Sequence, residues 1–172
     1  MDLDSVRAAT RTITDVTPGQ TVASTTVSSG NTLNVSAGGT ALVAVIENGG
    51  IETVFGSDVA AQINDGGYQY VWGTATGAIA FDPGVQVVAP GGAAISTTLS
   101  GGEQDVFGYA SGTTVSAGLL VVEPGGTANN AILSGGTEFI SLLGEDDGAQ
   151  ILGGEQDVFG MPAARQSLPD HR

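Results

Sequence analysis

The groups able to do chemistry in this 172-residue chain are carboxylates, hydroxyls and a few aromatic rings. Cysteine and lysine are absent, and the single histidine, His171, is next to the C-terminal residue. Thiolate metal sites, disulfides and thiol nucleophiles are therefore excluded. A Ser-His-Asp arrangement has no credible base. The carboxylates carry the remaining catalytic option. Glycoside hydrolysis needs two of them about 5–9.5 Å apart. Asp105 and Asp157 hold the same place in a duplicated octapeptide, Gly-Gly-Glu-Gln-Asp-Val-Phe-Gly, which occupies 101–108 and returns at 153–160.

Calcium is the next chemistry to weigh. The octapeptide superficially resembles the nonapeptide of calcium-binding β-rolls, Gly-Gly-x-Gly-x-Asp-x-hydrophobic-x. The register fails, because no glycine stands two residues after the pair and Asp105 falls one place early. Glu145-Asp146-Asp147 offers oxygens without the alternate spacing of an EF-hand loop, and reads as a solvated loop. No metal site and no cofactor is expected.

The duplication points to the elements that hold these residues. The second glycine of each Gly-Gly pair, or its equivalent, is followed four residues later by Val or Ile. Asn31 goes with Val35, Gly50 with Val54, Gly67 with Val71 and Gly84 with Val88. Then come Gly102 with Val106, Gly118 with Val122, Gly136 with Ile140 and Gly154 with Val158. The spacings are 19, 17, 17, 18, 16, 18 and 18 residues. Each unit reads as two short strands, such as one at the valine and one at Ala93-Ala94-Ile95 or Thr113-Thr114-Val115, separated by glycine turns. A repeat of this length cannot bury a face alone and must stack on its neighbours. The expected fold is all-β: a single-stranded parallel β-helix, or β-solenoid, of about eight coils of ~18 residues, stacked at ~4.8 Å. A β-propeller needs blades of about 40 residues and is the poorer fit.

Stacking turns repeat positions into columns. Asp105 is expected beside Val87 and Val121, Glu103 beside Val85 and Leu119, and Glu138 beside Leu120 and Gln156. Asp105 and Asp157 then lie three coils, or about 14 Å, apart. Acidic residues that avoid one another along the columns fit a structural rod better than an acid site. Directly after the valine stand Phe55, Trp72, Phe107 and Phe159, interrupted by Ala89, Glu123 and Ser141. With the valines inward, alternation points these rings outward, where they suit contact with a carbohydrate or protein partner. Packing over glycines at the coil corner is the competing and favoured reading. A Gln/Glu column, comprising Glu52, Gln69, Gln86, Gln104, Glu138 and Gln156, has an open register. Alternation puts it on the valine side, whereas the charges of Glu52 and Glu138 argue for a turn. A stacked amide ladder is the structural interpretation.

The domain reading is 1–20 as an N-terminal cap or lead-in, 21–160 as the solenoid and 161–172 as a C-terminal tail. Asp4 to Thr14 has the only passable helix propensity. The formal net charge is −14, and all four arginines, Arg7, Arg11, Arg165 and Arg172, lie near the termini. Fifteen acidic residues and no basic one lie between Arg11 and Arg165. Phosphate and anionic lipid need cations, so nucleic acid is not an expected partner. No run reaches the ~18 apolar residues of a membrane helix, so direct membrane insertion is not expected. The opening Met1-Asp2-Leu3-Asp4-Ser5-Val6-Arg7 lacks the basic-then-apolar pattern of a signal peptide.

Units such as Gly49-Gly50-Ile51-Glu52-Thr53-Val54-Phe55-Gly56 and Gly135-Gly136-Thr137-Glu138-Phe139-Ile140 resemble the repeats of AIDA-type autotransporter passengers. The resemblance runs from about Thr21 to Gly160. It implies a right-handed parallel β-helix, extracellular or on the bacterial cell surface, active in adhesion, aggregation or biofilm formation. In some members Ser and Thr of the repeats carry O-linked heptose. The implied partners are host or bacterial surface glycans or proteins, or further copies in an end-to-end or lateral homo-oligomer. The expected function is therefore non-catalytic. A carbohydrate-active β-helix enzyme and a calcium-stabilised exported array are the alternatives, and an ice-binding surface lacks its uninterrupted Thr-x-Thr column.

Overall fold

The computed structural model describes residues 12–159. Every described strand pairing is parallel, and the chain winds as a β-solenoid. Each coil has three strands. In the coil that begins at Ile51, a wide-face strand Ile51–Val54 is followed by a middle-face strand Ser57–Val59 and a short-face strand Gln62–Ile63. The chain then climbs to Tyr68–Val71, which pairs in register with Ile51–Val54. The wide-face register steps by 19, 19, 17, 17, 18, 16, 18 and 18 residues from Ile13 to Glu155. These eight steps are the repeat read from the Gly-Gly markers, with one more at the start.

Two expectations change. The array begins before residue 21, because Ile13–Val16 already pairs with Thr32–Val35. The proposed helix from Asp4 to Thr14 lies mostly outside the described residues, and its last two positions are in that strand. The C-terminal tail and His171 also lie outside them.

The second half of each repeat is two strands rather than one. The reason is a left-handed corner at a single residue: Ser24, Val43, Ala60, Gly77, Ser96, Gly112, Asn130 and Gly148 all have positive φ. One αL residue turns the chain sharply between two extended segments. Only three of the eight are glycine, so the corner leaves little trace in the sequence.

The interior is a set of stacked columns. Val35, Val54, Val71, Val88, Val106, Val122 and Ile140 are buried. The middle face contributes mainly alanines, including Ala41, Ala75, Ala94, Ala110 and Ala128, and the short face Ile46, Ile63, Leu99, Val115 and Leu133. Small residues opposite large ones fill a narrow cross-section. The marker glycines are there because backbones meet: a Cβ on Gly50 would stand 2.0 Å from the carbonyl oxygen of Val27. Its neighbour Gly49 supplies a positive φ of 69°.

Candidate functional site

The interior settles the register of the Gln/Glu column. Simple alternation holds, and Glu52, Gln69, Gln86, Gln104 and Glu138 point inward and are fully buried. The amides form one directed chain. Gln104 donates from Nε2 to Gln86 Oε1 (2.6 Å), and Gln86 donates to Gln69 Oε1 (2.6 Å). Gln69 then donates from Nε2 to Glu52 Oε2 (2.8 Å) and to Asp58 Oδ2 (3.1 Å). Hydroxyls serve the upper oxygens: Thr97 donates to Gln86 Oε1 and Thr113 to Gln104 Oε1.

The carboxylates at the foot have a physical reason. The layer beneath is Leu33 and Ala41, which accept nothing. A carboxyl group at position 52 ends the donor chain with an acceptor, and the apolar layer below calls for no further donor. The arrangement occurs twice. Glu138 and Asp146 lie on Leu120 and Ala128, and Gln156 donates to Glu138 Oε2 (2.8 Å) and Asp146 Oδ2 (3.1 Å). In both clusters the second carboxyl oxygen of the glutamate, on Glu52 and on Glu138, has no hydrogen-bond partner.

Burial raises the affinity of these acids for protons. Glu52 is pushed up to about 8 by burial and then by the charge of Asp58, against the hydrogen bond from Gln69. Asp58 rises to about 6 and Glu138 to about 7, burial being the main cause for both, and Asp146 is raised for the same reason. Acids do avoid one another along each column, as expected. Across the interior they do not, because Glu52 faces Asp58 and Glu138 comes close to Asp146. Linear column reasoning missed this, since the partners lie on different faces of one coil. The Glu52–Asp58 cluster is sealed and structural, whereas in the second cluster Glu138 is buried but Asp146 and Gln156 are half-buried and line a cleft.

On the outer wide face, Glu103 and Asp105 form the remaining carboxyl pair. Val85 and Leu119 flank Glu103, and Val87 and Val121 flank Asp105. Asp105 rises to about 6 through burial, then through the charge of Glu103 and a hydrogen bond with it, and last through the charge of Glu123. No group of three or more His, Cys, Asp or Glu side chains is arranged to hold a metal ion among the described residues.

The aromatic column points outward. Phe55, Trp72, Phe107 and Phe159 are 53, 49, 38 and 58% exposed. Phe55 and Trp72 stack across adjacent coils, with centroids 6.3 Å apart and planes at 17°. Phe159 stacks on Phe139 at 4.5 Å, so it belongs to a second cluster. Tyr68 and Tyr70 were missed as contact candidates. They project from the same strand as inward Gln69 and Val71 and stack on each other at 6.3 Å. The signal was present in Tyr-Gln-Tyr-Val-Trp, where aromatic residues alternate with the inward columns.

No protein-family model and no curated protein matches the chain. Among solved structures, it is similar to a hyper-glycosylated fragment of TibA whose glycosylation is catalysed by TibC. The TM-score is 0.71 and the sequence identity 28%; the match covers 87% of this chain and 65% of that fragment. The chain thus spans just under two thirds of the solved fragment. The likeness supports, at a coarse level, the resemblance to AIDA-type passengers seen in the Gly-Gly repeats.

Proposed function

We propose that the chain is a non-catalytic, passenger-type β-solenoid of an exported bacterial protein, located outside the cell or on its surface and serving adhesion or aggregation. The observation that carries this reading is the division between inside and outside. Buried acids are consumed by the ladder, while large rings stand in solvent at Phe55, Trp72 and Phe107. The likeness to the TibA fragment supports the same reading. Stacked exposed rings offer apolar area with little entropy to lose on contact. They are the proposed contact residues for surface glycans or proteins.

The outer middle face carries a hydroxyl column, Thr21, Thr40, Ser57 and Thr74, with Thr127 further along. Because the TibA fragment is hyper-glycosylated, we assign these hydroxyls as acceptors of O-linked sugar. Co-expression with TibC followed by intact-mass measurement is expected to give hexose- or heptose-sized additions. An unmodified mass would remove this part of the reading. The main test is display of the chain on a non-adherent bacterial strain. Faster sedimentation or greater retention on cell and glycan-coated surfaces is expected. Behaviour equal to an empty display scaffold would refute the adhesive function.

A further inference from the structure

The corner between the short and wide faces changes length part-way along the rod. Four residues join Ile63 to Tyr68 and Ala80 to Val85. From Leu99 onward three suffice: Ser100-Gly101-Gly102 before Glu103 and Ser116-Ala117-Gly118 before Leu119. Strands Thr98–Val106 and Thr114–Val122 consequently run straight through the corner. The wall that the longer corners build stops at Asp82-Pro83. Beyond it is a groove of about 320 Å³.

Its floor is bare backbone for a packing reason. A Cβ on Gly101 would meet Asp82 Cβ at 2.9 Å, and one on Gly118 would meet the carbonyl oxygen of Gly102 at 2.1 Å. The side wall is the outer column Tyr68, Val85, Glu103 and Leu119, four successive rungs spanning about 14 Å. Tyr68 is an exposed ring in the lining of the groove, and Tyr70, further along the strand, lies nearly parallel to it with centroids 6.3 Å apart. The polar side chains that line the groove are Tyr68 and the carboxyls of Asp82 and Glu103.

We propose that this groove binds a saccharide that carries hydroxyl or acetamido groups and no acid group. The proposal rests on the adhesive reading above and names a ligand class for it. The C–H face of a pyranose packs on the exposed Tyr68 ring. Its hydroxyls donate to the carboxyl oxygens of Asp82 and Glu103. The glycine floor lets the ring approach the backbone, and Val85 and Leu119 cover its apolar edge. Uronic or sulfated sugars meet two carboxylates with no cation among the described residues to offset them.

The test is calorimetric titration of the whole chain with mannohexaose, N-acetylchitohexaose and hexagalacturonate. Binding of either of the first two, weakened at least ten-fold by Tyr68→Ala and by Glu103→Gln, and unchanged in Val59→Ala on the outer middle face away from the groove, is the expected result. If Tyr68→Ala loses the wild-type circular dichroism spectrum, Leu119→Ser replaces it. Binding to hexagalacturonate alone, to none of the three, or equally by groove variants and wild type overturns the proposal. Surface adhesion of the same variants separates the two readings. Adhesion without saccharide binding removes the groove and leaves the adhesive reading. Saccharide binding without adhesion does the reverse.

Discussion

At the residue scale, Glu52 is the most informative position. It sits at the foot of a donor chain, on an apolar layer, with one carboxyl oxygen unpartnered. Its proton affinity is raised, as are those of Asp58 and Glu138. The folded state therefore holds protons that the unfolded chain releases near the ordinary carboxylate value of about 4. The stabilisation from these groups is complete below that value and is lost as pH rises through about 6 to 8. The melting temperature is expected to fall between pH 5 and pH 8.5, and thermal melts across that range check it. Glu52→Gln keeps the acceptor for Gln69 and gives Asp58 an amide neighbour. It is expected to flatten the fall and to stabilise the protein at pH 8.5 by about 1–2 kcal/mol, the size of one repaired buried polar group. A second residue-scale prediction concerns Val43, a β-branched residue at φ 54°. Left-handed backbone costs such a residue about 1–2 kcal/mol, so Val43→Gly is expected to raise stability by roughly 1 kcal/mol in denaturant melts.

At the scale of the element, the coil's cross-section was only partly legible in the sequence. The wide-face strand was clear, because its valine and its glycine pair recur together. The corner between the middle and short faces was not, because what recurs there is a backbone conformation that Ser, Val, Ala, Asn and Gly all adopt. The Gln column was visible as a column. Its burial was obscured by Glu52 and Glu138, whose charges argue for solvent until their raised proton affinity and the donor from the coil above are known. The ladder also makes a prediction. Gln86 accepts from Gln104 and Thr97 and donates to Gln69. Leu fits this column at positions 33 and 120, so Gln86→Leu is sterically tolerable. It nevertheless strands polar groups on three neighbours, each costing about 1–3 kcal/mol. A loss of at least 3 kcal/mol is expected in chemical unfolding, and a neutral effect would show that the amides do not act as a chain.

At the scale of the whole molecule, repetition explains most of what the sequence revealed. The step between rungs, the identity of the inward valines and the neighbours of Asp105 all follow from stacking one unit on the next. Several outer features do not repeat regularly, and those were correspondingly harder to read. The Phe55–Trp72 stack, the tyrosines of the next wide-face strand and the shortened corner beside Asp82-Pro83 each break the pattern locally. In a solenoid the regular positions maintain the rod, and departures on its outside are free to meet a partner.

This division is testable in one comparison of surface adhesion between wild type and the variant Phe55→Ser, Trp72→Ser, Phe107→Ser. Each of these side chains is well exposed, so the variant is expected to keep its melting temperature within about 3 °C, the shift that ~0.5–1 kcal/mol produces in a domain of this size. Adhesion of coated beads to the surface that retains wild type is expected to drop at least five-fold. Undiminished adhesion by a fully folded variant would contradict the account.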